Sequence, residues 1–264
     1  MEKGLLRDIL AFACEQLIDA GQIALGRFRH TLTIDNKLAT GAFDPVTEAD
    51  REVESFLRQR LTAAFPEFGV IGEEQGFTPG SSQVNWIVDP IDGTKSFISG
   101  LPTWGMLLGL VEGEQALCGL MHQPFTGELF VGSAEGSYWQ GRGERLRLQT
   151  RQTTSLENAT LYCTHEQMFA NPDHLSAFHR VAERAKLVRF GADCYAYCML
   201  AHGLIDLVVE DTLQPYDIIP LIPIIEGAGG VVTDPDGNSP LSGGFVVAAA
   251  NSALHRQALE LVNR

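Results

Sequence analysis

The residues best suited to chemistry lie in one stretch, Trp86-Ile87-Val88-Asp89-Pro90-Ile91-Asp92-Gly93-Thr94-Lys95-Ser96-Phe97. A β-branched apolar run ends there in two carboxylates three positions apart, Asp89 and Asp92, with Pro90 stiffening the turn between them and Gly93 allowing a tight bend afterwards. Acids so close together at the mouth of a buried strand repel each other, which raises one pKa unless a cation sits between them. An oxygen-rich, sulfur-poor donor set points to Mg2+, a hard ion that takes few carboxylates, keeps waters and completes its shell with phosphate oxygens. Thr94 adds a hydroxyl where it could orient an attacking water. The plainer alternative is that both aspartates cap turns, a common use of Asp.

Acids at a second strand end sharpen the cation idea: residues 68–71 form a short apolar run that stops at Gly72-Glu73-Glu74. A third group lies in Asp44-Pro45-Val46-Thr47-Glu48-Ala49-Asp50, where Thr47 reads as the N-cap of a helix and Asp50 sits in the capping-box position. Capping alone accounts for both. Val53, Phe56, Leu57, Leu61 and Ala64 give that helix its expected buried face. The loop before it, Lys37-Leu38-Ala39-Thr40-Gly41-Ala42-Phe43-Asp44, is rich in small residues, a kind of loop that often carries function.

The elements that must position these groups follow from hydrophobic periodicity. Leu6, Leu10, Ala13, Leu17, Ala20, Ala24 and Phe28 recur at helical spacing, so the first thirty residues read as one amphipathic helix, and residues 31–37 as a short strand. Residues 76–83 read as a flexible link into the central stretch. Residues 105–111 and 116–121 flank a hairpin signal at Glu112-Gly113-Glu114-Gln115, and residues 128–132 and 137–140 continue as antiparallel strands. From about residue 150 strands alternate with helices: strand 159–164, helix 173–186, strand 188–190, helix 194–202 and strand 205–210, in βαβ-like order. A helix then runs from Tyr216-Asp217 to the stop at Gly229-Gly230, followed by strand 231–233, a turn at Pro235-Asp236-Gly237, strand 245–249 and a last helix, 252–262. The change near residue 150 suggests an N-terminal α+β subdomain, 1–150, carrying most of the acids, and a C-terminal α/β subdomain, 151–264, completing one site.

Composition bounds the rest. At 264 residues with 45% hydrophobic content the chain has ample material for a core. The formal net charge of −14 and the lack of a basic patch argue against nucleic acid as a partner. No targeting signal and no apolar run of membrane-spanning length stand out, so no membrane partner and a cytoplasmic location are expected. Five cysteines without a Cys-x-x-Cys pair, mostly in apolar patterns, suit reduced, buried thiols. His165, His174, His179 and His202 are not paired at metal-ligand spacing and read as surface or packing residues. Gly41 belongs to no nucleotide-loop motif.

At Asp89-Pro90-Ile91-Asp92-Gly93-Thr94 the sequence resembles the inositol monophosphatase superfamily of Mg2+-dependent, lithium-sensitive phosphomonoesterases. The resemblance extends over essentially the whole chain, through Asp44 to Asp50, Gly72-Glu73-Glu74, and Tyr216-Asp217 followed by Glu226-Gly227-Ala228-Gly229-Gly230. Tyr216 stands where the family usually has Trp, and Ser96 where many members have Asn. Asp92 to Phe97, Phe190 to Tyr197, and Asp206 to Glu210 running into Pro215-Tyr216-Asp217 are similar to the histidinol-phosphate phosphatase branch. The resemblance implies a layered αβαβα sandwich, α+β and α/β in composition. It implies two or three Mg2+ held by Glu73, Asp89, Asp92, Asp217 and the Ile91 carbonyl. Asp50, Thr94 and Glu73 would form the catalytic group, with Asp50 and Thr94 polarising the nucleophilic water. Gly93 and Thr94 would offer backbone N–H groups to phosphate if they begin a helix. Asp193, Glu210 and Asp217 would face the substrate, the first two meeting the cationic groups of histidinol phosphate.

The expected activity is therefore hydrolysis of a small phosphomonoester, L-histidinol phosphate before others, by direct attack of an activated water. Inositol monophosphatase, fructose-bisphosphatase and phosphoadenosine-phosphate phosphatase activities are rivals within the superfamily. A metal-stabilised binding protein without catalysis is the rival of another class. The apolar runs 101–110 and 218–225 suit a subunit interface as well as a core, and a homodimer, usual in this family, is expected.

Overall fold

The computed structural model describes residues 1–36 and 45–264. The small-residue loop 37–44, including Asp44, lies outside the described residues. The N-terminal periodicity produces α1 (Lys3–Arg27), which buries Ile9, Ala13, Leu17, Ala20 and Ala24 on one side. Of the strand expected over 31–37, the described residues 31–36 form β1 (Ile34–Asn36), pairing antiparallel with β2 (Pro45–Thr47). Then comes α2 (Glu48–Ala64) with the expected cap: the Thr47 hydroxyl accepts from Ala49 N at 3.1 Å and the Thr47 N–H donates to Asp50 Oδ2 at 2.8 Å. The buried face of α2 differs from the expectation at its end. Ala64 is exposed, while Glu54 and Arg58 are buried, because they face the turn beyond the next strand rather than solvent.

Strands β3 (Gly69–Gly72), β4 (Gly76–Thr78) and β5 (Val84–Asp92) follow, so the expected flexible link 76–83 begins instead as an edge strand antiparallel to β3. Helix α3 (Thr94–Ile98) is a single short turn and a half. The hairpin β6 (Gly105–Glu112) and β7 (Gln115–Gln123) turns where the Glu112-Gly113-Glu114-Gln115 signal lies, and β8 (Glu128–Ser133) and β9 (Gly136–Gly141) extend the meander. A further edge strand, β10 (Glu144–Arg147), is fully exposed and so shows no apolar pattern to read. Together they make an eight-stranded sheet in the order β10-β9-β8-β7-β6-β5-β3-β4.

The second sheet draws on β11 (Thr160–Cys163), α4 (Pro172–Ala182), β12 (Leu187–Phe190), α5 (Asp193–Ala201) and β13 (Leu207–Leu213), with β11 parallel to both β12 and β13. The helix expected from Tyr216 to Gly229 is two helices, α6 (Pro215–Ile218) and α7 (Leu221–Gly227), with Pro220, which has no N–H to donate, as the N-cap of the second. Finally β14 (Val231–Thr233) and β15 (Gly244–Ala249) complete the five-stranded sheet β12-β11-β13-β15-β14, and α8 (Ser252–Val262) closes the chain.

The layers are αβαβα, as the resemblance implied. Helices α1 and α2 cover one face of the large sheet, burying Trp86, Val88, Met106 and Leu108 between them. Helices α5 and α7 fill the space between the sheets, with Leu107, Met121 and Phe130 on one side and Val208, Val246 and Ala248 on the other. Helices α4 and α8 cover the outer face of the small sheet. By length and composition α1 could cross a membrane, contrary to the sequence expectation, with a mean hydropathy of 1.3 over its most apolar window; its apolar face is spent on α2, β6 and β7. The apolar runs 101–110 and 218–225 are likewise spent on the core: Met106, Leu107, Leu108, Leu110, Ile218, Ile224 and Ile225 are wholly buried, and only Leu101 among their large apolar residues is prominently exposed. The five cysteines are free thiols, four of them buried and Cys14 half-buried.

Candidate active site

The site begins with an irregularity in β5. In a regular strand, residues three apart point to opposite faces, so Asp89 and Asp92 could not share a ligand. The ladder with β6 pairs Asp89 with Leu107 and Asp92 with Gly105, three steps on β5 against two on β6. This bulge turns both carboxylates toward the same side. Pro90 sits within it, where its missing N–H removes no regular ladder bond. The pair is thus joined by a kinked strand and not by the turn expected from sequence. The Ile91 N–H donates to Asp89 Oδ1 at 3.1 Å and fixes the kink.

The carboxylate of Asp217 reaches the same place from the start of α6. Its Oδ2 accepts the Gln214 N–H at 2.7 Å. One carboxylate oxygen each from Asp89, Asp92 and Asp217 lie within 4.8 Å of one another, the one such cluster among the described residues. Glu73, on the turn after β3, lines the same cleft and is hydrogen-bonded to Asp89. The cleft has a volume of about 600 Å³ and lies between the ends of the two sheets.

Electrostatics in this cluster run uphill. Burial, then Glu73, Asp92 and Asp217, push the Asp89 carboxyl well above the usual carboxylate range. Asp92 rises for the same reason, with Asp193 and Asp217 as its repelling neighbours. Asp217 is pushed up to about 7, mostly by burial, although the Gln214 N–H opposes the rise. An oxygen-only donor set with uncompensated negative charge fits a hard divalent cation, and those residues would hold it. The Cys194 thiol stays buried while its backbone N–H donates to Asp92 Oδ2 at 2.6 Å, so α5 contributes a donor and not a soft ligand.

Thr94 and Asp50 stand beside the cluster. The Thr94 hydroxyl lies 3.1 Å from the Ile91 carbonyl and 3.5 Å from Asp50 Oδ1, while Asp50 Oδ2 takes the Thr47 N–H. Burial lifts Asp50 to about 6. The capping role and the site role of Asp50 are therefore carried by different oxygens. Gly93 has φ of +79°, and a Cβ there would meet the Asp193 carboxyl at 2.8 Å, so glycine is required for both conformation and space. It caps α3, whose first-turn N–H groups have no intrahelical acceptors.

Asp193 also lines the cleft, and its Oδ2 accepts the Ser96 hydroxyl at 2.6 Å. Glu210 does not line the main cleft; it lies in an adjoining recess of about 90 Å³ shared with Asp92, Asp193 and Asp217. Its oxygens accept the Thr164 N–H at 2.7 Å and the Tyr197 hydroxyl at 2.8 Å. The structure thus brings together Asp50, Glu73, Asp89, Ile91, Asp92, Gly93, Thr94, Asp193 and Asp217, with Glu210 set one layer back.

Three titratable residues of the cleft were given no site role from the sequence. Lys95, directly after the Asp92-Gly93-Thr94 run, brings a cation to the cleft. Asp211 lines it too, held by His174 at 2.8 Å; its only sequence signal was adjacency to Glu210. His165 lines the cleft near Lys95. The other histidines behave as expected: His179 meets Glu166 on the surface at 3.0 Å and His202 packs on Trp139.

A layered αβαβα fold with an acidic cleft at its sheet ends defines a class, the phosphoric monoester hydrolases of this architecture. Residues 5–264 match the inositol monophosphatase family, and the chain belongs to that family. It is 37% identical to the chloroplastic bifunctional phosphatase IMPL2 of Arabidopsis thaliana over 96% of this chain and 75% of that protein. It is 33% identical to a histidinol-phosphatase of Chlorobaculum parvum, covering 96% of each. Among solved structures, an inositol monophosphatase from Zymomonas mobilis superposes with a TM-score of 0.86 at 33% identity over 98% of both chains.

Proposed function

We propose that the protein hydrolyses L-histidinol phosphate to L-histidinol and phosphate, with two or three Mg2+ held by Glu73, Asp89, Asp92, Asp217 and the Ile91 carbonyl. Bound there, the ions would neutralise phosphoryl charge and lower the pKa of a water. The chain's own groups do the rest. Thr94, hydrogen-bonded to the Ile91 carbonyl and within reach of Asp50, orients the attacking water. Asp50, ionised above about pH 6, draws its proton through the Thr94 hydroxyl. The first-turn N–H groups beyond Gly93 and the Lys95 ammonium favour the phosphate's negative charge. Direct attack requires no side-chain nucleophile.

The observation that carries the substrate reading is the surplus of acid. Beyond the three clustered aspartates and Glu73, the cleft holds Asp193 and Asp211, with Glu210 behind them. A neutral polyol has no use for that charge, whereas an alcohol bearing an ammonium and an imidazolium does. The histidinol-phosphatase relative at 33% identity supports the same reading. The rival is inositol 1-phosphate, favoured by the likeness to the Zymomonas mobilis inositol monophosphatase. Phosphate release with Mg2+, compared as kcat/KM, separates the two: preference for L-histidinol phosphate by at least tenfold is expected, and preference for inositol 1-phosphate overturns the reading.

A further inference from the structure

We propose that Glu54 and Arg58, a buried ion pair on α2, are positioning residues that hold Glu73 on the acidic cluster; this rests on reading Glu73 as a cation ligand. Glu54 is wholly buried and Arg58 nearly so, and Arg58 Nε donates to Glu54 Oε1 at 2.7 Å. The pair faces the turn that joins β3 to β4. Glu54 Oε2 accepts the Glu74 N–H at 2.7 Å, and Oε1 accepts the Gln75 N–H at 3.0 Å. Arg58 donates to the Gly76 carbonyl and, at 2.9 Å, to Thr78 Oγ1. Each residue from 74 to 76 is therefore tied to α2 through its backbone. Glu73 itself is fixed from the other side, its N–H donating to the Val88 carbonyl of β5 at 3.2 Å.

The closeness of the fit is visible at Gly72, just before Glu73. A Cβ there would run into the Glu54 carboxylate and come within 2.7 Å of Arg58 Nη2. A buried ion pair is a poor source of stability, since desolvation offsets most of its attraction. What this one supplies is direction: charge-assisted hydrogen bonds from a buried pair fix the backbone of the turn against the helix. The same helix presents Asp50 one turn earlier, four residues before Glu54. Helix α2 thus acts as one rigid bar setting both the Asp50 carboxylate and the Glu73 turn.

The test uses Mn2+ as probe, with free ion counted by electron paramagnetic resonance, on the full chain and its Glu54→Gln, Glu73→Gln and Leu254→Ala variants. Leu254→Ala opens a cavity in the wholly buried site on α8 and serves as a control for stability alone. Expected is a 10- to 100-fold loss of Mn2+ affinity in Glu54→Gln, as for groups that orient metal ligands, with faster hydrogen exchange at the Glu74 and Gln75 amides. Leu254→Ala, with a thermal midpoint lowered at least as far, should keep wild-type affinity. Wild-type affinity in Glu54→Gln, or equal loss in Leu254→Ala, overturns the proposal. If Glu73→Gln also binds normally, the reading of the site fails with it; if only Glu54→Gln binds normally, the positioning role alone fails. Should Glu54→Gln not fold, exchange in the metal-free wild type decides: protected Glu74 and Gln75 amides are expected, and loop-like exchange there refutes the proposal.

Discussion

Asp217→Asn should make the metal-free protein more stable at pH 8 while removing its response to Mg2+. In the folded chain the Asp217 carboxyl titrates at about 7 instead of its ordinary 3.8, so the folded state holds this proton more tightly than the unfolded one. Stability is then lost as pH rises from about 4 to 7 and is level above. Keeping the group ionised at pH 8 costs about 4 kcal/mol, at about 1.4 kcal/mol per pH unit; at pH 4.5 the cost is only about 1 kcal/mol. Asparagine carries no such charge, and its amide oxygen can still accept the Gln214 N–H. A gain of about 2–4 kcal/mol at pH 8 is expected, or about 5–10 °C in thermal midpoint for a chain of this size. Circular-dichroism melts in EDTA at pH 8 and pH 4.5 measure it. With Mg2+ the order should narrow or reverse, since only the wild type gains from binding, by about 2.7 kcal/mol at one hundred times Kd. Equal midpoints at pH 8 in EDTA, or a gain as large at pH 4.5, would refute the reasoning.

Asp92→Asn should abolish phosphate release while the circular-dichroism spectrum stays native; near-normal hydrolysis would contradict the assigned cluster. Thr94→Val should lower kcat by about 10²–10⁴ with Mn2+ affinity unchanged, the mark of a group that acts on the water and not on the ion, read from steady-state kinetics beside ion binding. Glu128 accepts from Tyr195 Oη at 2.6 Å, Thr126 Oγ1 at 2.7 Å and Trp139 Nε1 at 3.0 Å, joining α5 to the large sheet. Glu128→Gln should therefore cost about 1 kcal/mol by leaving one of these part-buried donors unmatched, measured by urea unfolding.

Most helices and strands were legible because their burial is one-sided. Helices α1 and α8 show the periodicity that a half-buried element must show, while β6 and β7, buried on both faces, were legible as continuous apolar runs on either side of the turn signal at 112–115. The capping box at Thr47 and Asp50 was equally plain, being a local arrangement of four residues. Edge strands β4 and β10 were missed since all their residues are exposed and no pattern marks them. Glu54 and Arg58 carry no apolar signal that would mark them as buried, and their burial depends on a turn some twenty residues away.

The acids of the site were named from the sequence, but the way they meet was not. Their convergence needs a bulge at Pro90, which is visible only once β6 supplies a register to compare. The Cys194 N–H on Asp92 joins residues 102 positions apart, and nothing local predicts it. His165 offered no motif; it reaches the cleft because the loop after β11 overhangs it, a consequence of topology.

Carboxylates from separated segments are proposed to grip divalent cations in one cleft. Anomalous diffraction from a crystal soaked in Mn2+ tests it most directly. At least one strong peak coordinated jointly by Asp89, Asp92 and Asp217, with Glu73 on a neighbouring peak or the same one, is the predicted result. Ordered Mn2+ elsewhere and none among these side chains would contradict it.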